Sequence, residues 1–397
     1  MAAVSCEEIA GDIVPGESEE LVPIKFELPT TKAGAIYGNE DLKDNKSYFG
    51  MFAVKTDAAS LSESDELNIR NKMCRYVAPT ETEKACLRFG YQSEDREYYF
   101  PMNSTTGYNF YTYHTWQSKL TELADGTVIY NDDDDIQTTS EMLATDKQAF
   151  VTIKLASPND VIWAKSVAPE AFDKNGNLIA GYNAAYVRET GKVPSFNFSH
   201  PAAGIRFRAV LDENSHMQIP AKHHLRIKQI SFTGAESRFI TSEGILCIVD
   251  LNNPAKEGKF VASKTQKAKT NWLDPDKEGA NATLNFDLLA DDDGDGIVER
   301  CLTEPEQIFY EHFIMPMEEP MEVTIDLKRE IVVDGTVTNQ YTTVSKTFVL
   351  DPKDFGAAES GYKAGVMYNY KIVVKYTNPT PQNLKTDVID IEIVADI

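Results

Sequence analysis

The chain has 397 residues and a formal net charge of −23, from 62 acidic and 39 basic residues. A phosphate backbone requires a basic protein face, so this charge argues against nucleic-acid binding and fits the self-repelling surface of many extracellular proteins. Hydrophobic residues make up 42 % of the chain, and no apolar run approaches the ~18 residues of a membrane span. The length favours two or three domains, each with a sizeable core.

The first twenty residues form a polar segment around Cys6, which follows small residues and precedes an acidic spacer at 7–20. This pattern is typical of the end of a bacterial lipoprotein signal, and it predicts a lipid on Cys6 with the spacer as a tether. The alternative is a stray cysteine on a disordered tail. The other four cysteines show no metal-ligand spacing, and a bond between Cys74 and Cys86 is left open.

An alternating strand opens the first predicted domain. Its apolar residues recur at every second position, as in a half-buried strand. Pro29 and Gly34 end this strand, and Lys32 lies between them in a short run of small residues. The connector is therefore accessible to a protease. The apolar face consists of Val22, Ile24, Phe26 and Leu28.

Short strands separated by turn residues continue along the chain. Tyr98–Pro101 and Phe110–Tyr113 flank a turn and predict a hairpin. A cluster of Pro, Asn and Gly between residues 167 and 194 marks a boundary, after which the strand pattern resumes. Long helical periodicity is nearly absent, so we expect an all-β fold of two sandwiches in tandem. The predicted divisions are a signal remnant and linker at 1–20, a first sandwich at 21–190 and a second at 191–397.

Motifs for chemistry are scarce. The chain contains no GxGxxG, P-loop, GxSxG or HExxH sequence, so we expect neither an enzyme nor an organic cofactor. Asp291, Asp293 and Asp295, followed by Gly296, copy the first half of an EF-type calcium loop. The twelfth position of that loop is Leu302, which cannot close the coordination shell. Calcium binding and a simple acidic turn are both open.

The C-terminal segment is a second amphipathic strand. Its acidic residues alternate with an apolar series that matches the series of the opening strand. Terminal strands are readily exchanged between molecules because no threading is needed. The sequence therefore predicts that this strand can occupy the groove of a neighbour that has lost its opening strand. The donor residues are Ile389, Ile391, Ile393, Ala395 and Ile397.

A set of short motifs in a fixed order spans nearly the whole chain. Besides the opening strand, they are Tyr98–Pro101, Phe110–Tyr113, Phe196–His200, Phe313–Pro316 and Ala364–Tyr370. Their order is more specific than any one of them, and together they resemble the fimbrillins, the subunits of the type V pili of outer-membrane-bearing anaerobes.

This resemblance implies two transthyretin-like Greek-key sandwiches and export as an outer-membrane lipoprotein through Cys6. It also implies that an extracellular Arg- or Lys-specific protease removes the first strand, here between Lys32 and Ala33. Many relatives are cut after arginine, whereas this chain has lysine. The mature protein would be a pilus (fimbrium) subunit that assembles with other pilins by donor-strand exchange and supports adhesion to a host or bacterial surface. Stalk, tip and anchor roles are all open.

A second interpretation is a surface glycan-binding lipoprotein of β-sandwich architecture. In that case exposed aromatic side chains would form the sugar platform, and the terminal strand would never exchange. The candidate platform residues are Trp116, Trp163 and Trp272.

Overall fold

In the computed structural model, the described residues form mainly β-strands joined by turns, which confirms the all-β prediction. Within the described residues, short 3-10 helices lie at Leu61–Leu67, Pro254–Lys256 and Pro352–Phe355. The described residues are 21–28, 42, 44, 47–90, 95–102, 106–115, 120–122, 128–132, 135–138, 146–155, 160–173, 175–212, 223–232, 243–263, 286–290, 299–300, 308–333, 336–377 and 388–395.

Twelve strands and one helix precede residue 191 in the described ranges. The strands are β1 (Phe26–Glu27), β2 (Tyr48–Lys55), β3 (Lys72–Val77), β4 (Cys86–Phe89), β5 (Tyr108–Thr115), β6 (Leu120–Glu122), β7 (Val128–Asp132), β8 (Asp135–Thr138), β9 (Gln148–Lys154), β10 (Val161–Ser166), β11 (Ala171–Phe172) and β12 (Leu178–Ile179), and the helix is α1 (Ala184–Thr190).

Eleven further strands follow in the described part of the chain. They are β13 (Ala203–Leu211), β14 (His223–Phe232), β15 (Glu243–Asp250), β16 (Phe260–Ser263), β17 (Phe286–Ala290), β18 (Glu299–Arg300), β19 (Ile308–Ile314), β20 (Met321–Val333), β21 (Thr336–Leu350), β22 (Met367–Thr377) and β23 (Val388–Ala395).

The N-terminal half is built on a six-stranded sheet in the order β1-β4-β3-β2-β5-β10. Each face of this sheet is covered by a hydrophobic core. Met51 and Ala53 of β2 belong to one core, whereas Phe52 and Val54 belong to the other. Alternate side chains of a strand point to opposite faces, and this explains why β2 is buried along nearly its whole length, as its continuous apolar run predicts.

The second core lies against a three-stranded sheet in the order β16-β15-β9. Strand β15 pairs with β9 over seven residue pairs, from Glu243 opposite Lys154 to Asp250 opposite Gln148. The pairing therefore crosses the predicted boundary at residue 190. The limits 21–190 and 191–397, and the transthyretin-like topology, stay predictions.

The C-terminal half packs two sheets around a third core. One sheet has the order β19-β13-β22-β23, and the other has the order β18-β17-β14-β20-β21. Ile205 and Phe207 of β13 are fully buried in this core, together with Ile325 and Leu327 of β20. Strand β13 runs parallel to β22, whereas β22 and β23 are antiparallel.

The predicted hairpin between Tyr98–Pro101 and Phe110–Tyr113 is wrong. Strand β5, which contains Phe110–Tyr113, pairs with β2 and β10. Tyr99 instead forms a bridge with Pro23 of the opening segment. The strand that pairs with this aromatic segment lies far away in sequence. Hydrophobic periodicity and turn residues predict only local pairings, so they could not identify it.

Candidate strand-exchange site

The opening segment lies inside the first core. Phe26 packs against three aromatic rings, with centroid distances of 5.2 Å to Phe110, 5.3 Å to Phe89 and 5.6 Å to Phe196. The four predicted apolar residues all point inward, as the alternation requires. Their exposed fractions are 9 % for Val22, 6 % for Ile24, 2 % for Phe26 and 1 % for Leu28.

The backbone of this segment is hydrogen-bonded along both of its sides. One side faces β4 and residues 98–100, and the other faces residues 194–196. The segment therefore occupies a slot with two walls. The bonds run from Phe100 N to Val22 O (3.0 Å), Ile24 N to Tyr98 O (2.8 Å), Leu28 N to Ala85 O (2.9 Å), Glu27 N to Pro194 O (2.9 Å) and Phe196 N to Glu27 O (3.4 Å).

The outward side of the segment carries charge. Lys25 is exposed, and Glu27 forms an ion pair with Lys84, whose Nζ lies 3.2 Å from Glu27 Oε2. A cleft of about 610 Å³ lies on this side, between residues 23–27 and the walls formed by residues 82–89 and 95–98. Whatever strand fills the slot presents its outward side chains to this cleft.

The C-terminal strand β23 is docked on its own chain as an edge strand, paired with β22 from Val388 to Ala395. Ile391 is fully buried in the C-terminal core, and Ile393 packs against that core while partly buried. Ile389 and Ala395 lie in the same strand, whereas Ile397 lies outside the described residues. Ile391 and Ile393 are thus the two predicted donor residues whose burial the structure describes; the structure shows the strand in place within its own molecule, and its donation stays a prediction.

Two lysines hold the acidic face of β23. Lys346 Nζ lies 2.7 Å from Asp390 Oδ1 and donates to Ile391 O at 2.6 Å, and Lys375 Nζ lies 2.6 Å from Glu392 Oε2. The hydrogen bond from Lys346 lowers the pKa of Asp390 below its ordinary value. Because Lys346 belongs to β21, it fastens the edge strand of one sheet to the edge strand of the other.

Several predicted site residues lie outside the described residues: Cys6, Lys32, Ala33, Asp291, Asp293, Asp295, Trp116 and Trp272. In the described part of the chain, no group of three His, Cys, Asp or Glu side chains is placed to hold a metal ion. No helix within the described ranges is both long enough and apolar enough to cross a membrane.

Trp163, a candidate for the glycan platform, is partly buried and packs against the second core. Its Nε1 donates to Ile248 O at 3.3 Å. Gly258, with φ of +70°, gives the ring its space, since a Cβ there would come within 2.4 Å of Trp163 Cε3. The side chain is thus used for packing and is not an exposed platform.

Cys74 and Cys86 are free thiols on neighbouring strands. Cys74 lies opposite Phe89 and Cys86 lies opposite Val77, so the two cysteines are three positions out of register. Complete burial raises the pKa of the Cys74 thiol. Cys74 therefore acts as a small core residue.

The walls of the slot were not identifiable from the sequence. Residues 194–196 lie where the predicted boundary segment ends and the strand pattern resumes, and residues 98–100 belong to the predicted local hairpin. One sequence feature does point to such walls: the opening strand has no evident neighbouring strand with which it could pair. A strand with four inward apolar residues needs neighbours on the backbone side as well as a core.

No protein-family model matches the chain, and no curated protein matches it. Among solved structures, a candidate cell adhesion protein from Bacteroides ovatus is 13 % identical, with 96 % of this chain and 99 % of that chain covered and a TM-score of 0.39. A fimbrial protein from Bacteroides vulgatus is 11 % identical, with 94 % and 99 % covered and a TM-score of 0.36. A candidate cell adhesion protein from Bacteroides eggerthii is 10 % identical, with 97 % and 98 % covered and a TM-score of 0.37. At these identities and TM-scores, function has to be argued from the chain's own residues.

Proposed function

We propose that the chain is a structural subunit of a cell-surface pilus that polymerises by donor-strand exchange after cleavage between Lys32 and Ala33. The observation that carries this proposal is the position of the opening segment. It is buried in the first core and bonded along both sides, and the predicted cleavage site at Lys32 follows it closely in sequence.

The free energy at stake is large. Burying four such side chains contributes roughly 6–12 kcal/mol, at about 1.5–3 kcal/mol each. A whole domain has a stability of only about 5–15 kcal/mol. A domain that lost residues 21–28 would expose an apolar slot and unpaired backbone groups on both walls, so a replacement strand would bind strongly.

Strand β23 has the features of that replacement. It is an edge strand, so it can leave its sheet by breaking one ladder of hydrogen bonds. Its apolar residues alternate with acidic ones in the same period as those of the opening segment. The partners are then other pilin subunits and an extracellular Arg- or Lys-specific protease.

The proposed location follows from the same scheme. The precursor would be an outer-membrane lipoprotein acylated on Cys6, and the processed subunit would lie in the fimbrium and support adhesion. Calcium at Asp291, Asp293 and Asp295 stays a separate prediction.

The test is to trim the purified full-length protein with a lysine-specific protease and to compare it with the variant Lys32→Gln. We expect the trimmed protein to start at Ala33 and to form a ladder of oligomers by light scattering and electron microscopy, while the variant stays monomeric. A trimmed protein that remains monomeric and keeps its melting temperature would contradict the proposal.

A further inference from the structure

Lys84 takes its ion-pair partner from the opening strand. Its Nζ lies 3.2 Å from Glu27 Oε2, and Glu27 belongs to the segment that cleavage would remove. The neighbouring Arg88 is different, because it pairs with Glu83 at 3.4 Å and Asp95 at 3.5 Å, which stay in the domain. Removal of the opening strand therefore takes the carboxylate away from Lys84 and leaves these partners of Arg88 in place.

The position of Glu27 is fixed by the backbone. Its N–H and C=O bond to Pro194 and Phe196 on one wall, and its Cα lies opposite Cys86 on the other. A strand that fills the slot must place a residue at this point, with its side chain directed into the outer cleft beside Lys84. The charge of that one side chain therefore decides whether Lys84 has an ion-pair partner.

The C-terminal strand brings carboxylates that already bind lysines. In the docked state Asp390 is held by Lys346 at 2.7 Å and Glu392 by Lys375 at 2.6 Å. These acidic residues alternate with the apolar residues that would face the core. When that apolar series lies inward, the outward positions are the acidic Asp390, Glu392 and Asp396 and the apolar Val388 and Val394.

From this geometry we infer that Lys84 is a specificity residue of the slot: it pairs with Glu27 before exchange and with a carboxylate of the incoming strand afterwards. The preferred occupant is thus a strand with acidic outward side chains, namely the C-terminal strand of a second copy of this chain. This inference rests on the proposed strand exchange and adds the charge by which the partner is selected. Apolar burial supplies most of the affinity, and the ion pair discriminates between strands.

The test measures binding of synthetic peptides to the full-length protein after cleavage at Lys32, at low and moderate salt. One peptide is residues 388–397, and a second carries Asp390→Asn, Glu392→Gln and Asp396→Asn. The protein is used as wild type, as Lys84→Met and as the control Lys353→Met, which removes an exposed lysine far from the slot in sequence.

The acidic peptide should bind the wild-type protein about two- to fivefold more tightly than the amide peptide, as expected for an exposed ion pair. Lys84→Met should abolish this preference, lowering affinity for the acidic peptide only, whereas Lys353→Met should leave it unchanged. Equal affinities for both peptides, or an equal loss for both in Lys84→Met, would overturn the role of Lys84 while leaving strand exchange standing. If neither peptide binds the cleaved protein, both proposals are overturned.

Discussion

Phe26 is the side chain on which the opening strand depends most. It is 2 % exposed and contacts three aromatic rings of the first core. Truncating a buried phenylalanine removes its transfer free energy and leaves a cavity. We expect Phe26→Ala to lower the free energy of unfolding by about 3–5 kcal/mol, measured by urea denaturation of the uncleaved protein.

Leu21 supplies the control for this prediction. It belongs to the same segment but is 50 % exposed, so Leu21→Ala should change the stability by less than about 0.5 kcal/mol. Equal effects of the two substitutions would show that the segment is not held by its inward face.

His114 makes stability depend on pH. Its ring is buried, stacks on Phe49 at 4.7 Å and lies with Nδ1 2.6 Å from Tyr48 O. Burial lowers its pKa to about 4, despite the opposing effect of the bond to Tyr48. Between this value and the ordinary pKa near 6.5, the unfolded chain binds more protons than the folded one, so stability falls as the pH is lowered through this window.

The magnitude is roughly 3 kcal/mol over the full window. We expect His114→Gln to flatten the decline in unfolding free energy between pH 6.5 and pH 4, measured by denaturant titrations at several pH values. Burial raises the pKa of Asp160, which acts in the opposite direction, but this carboxyl is present in both proteins. The difference between the two curves therefore isolates His114, and parallel curves would contradict the assignment.

At the scale of elements, the described contacts of β23 are its ladder with β22, the fully buried side chain of Ile391 and the ion pairs of Asp390 and Glu392. Lys346 also caps a backbone carbonyl of the strand, and lysines on edge strands protect them from pairing with other chains. Lys346→Met should therefore raise amide hydrogen exchange across 388–395 several-fold and leave β20, which does not pair with β23, unchanged. Lys375→Met is the matched control, because it breaks an ion pair without uncovering the carbonyl. An identical response of the two variants would argue against the cap.

Strand positions followed from the sequence where burial alternates, as in β1, β13 and β23. Strand β15 was missed although residues 244–249 form a short apolar run, because such a run does not distinguish a buried strand from other core segments. Helix α1 carried a usable signal in its cap, where Asn183 accepts from Tyr186 N at 2.8 Å and Gly191 has φ of +66°. The slot was not predictable, because its walls come from residues about 70 and 170 positions away.

At the scale of the whole molecule, β15 completes a core that begins in the N-terminal half. Leu246, Ile248 and Val249 are fully buried against residues such as Val151 and Tyr113. A fragment of residues 1–212 should therefore expose apolar surface, bind a hydrophobic dye and unfold without cooperativity. Adding a peptide of residues 243–263 should restore a cooperative transition, whereas a scrambled peptide should not. A fragment that melts like the full chain would contradict this dependence.

The wall formed by residues 194–196 has a mechanical consequence for a filament assembled in the proposed way. Tension on the incoming strand would pass through backbone bonds at the position that Glu27 holds before exchange, and from there into residues 194–196, which precede β13 in the chain. From β13 it would cross eight residue pairs to β22, and β22 is the strand that β23 leaves when it is donated to the next subunit. The force would then act along the strand axes. The hydrogen bonds of each ladder would be loaded together in shear and would not break one at a time. Pulling along such a filament should therefore meet its highest resistance in the direction in which a pilus is loaded.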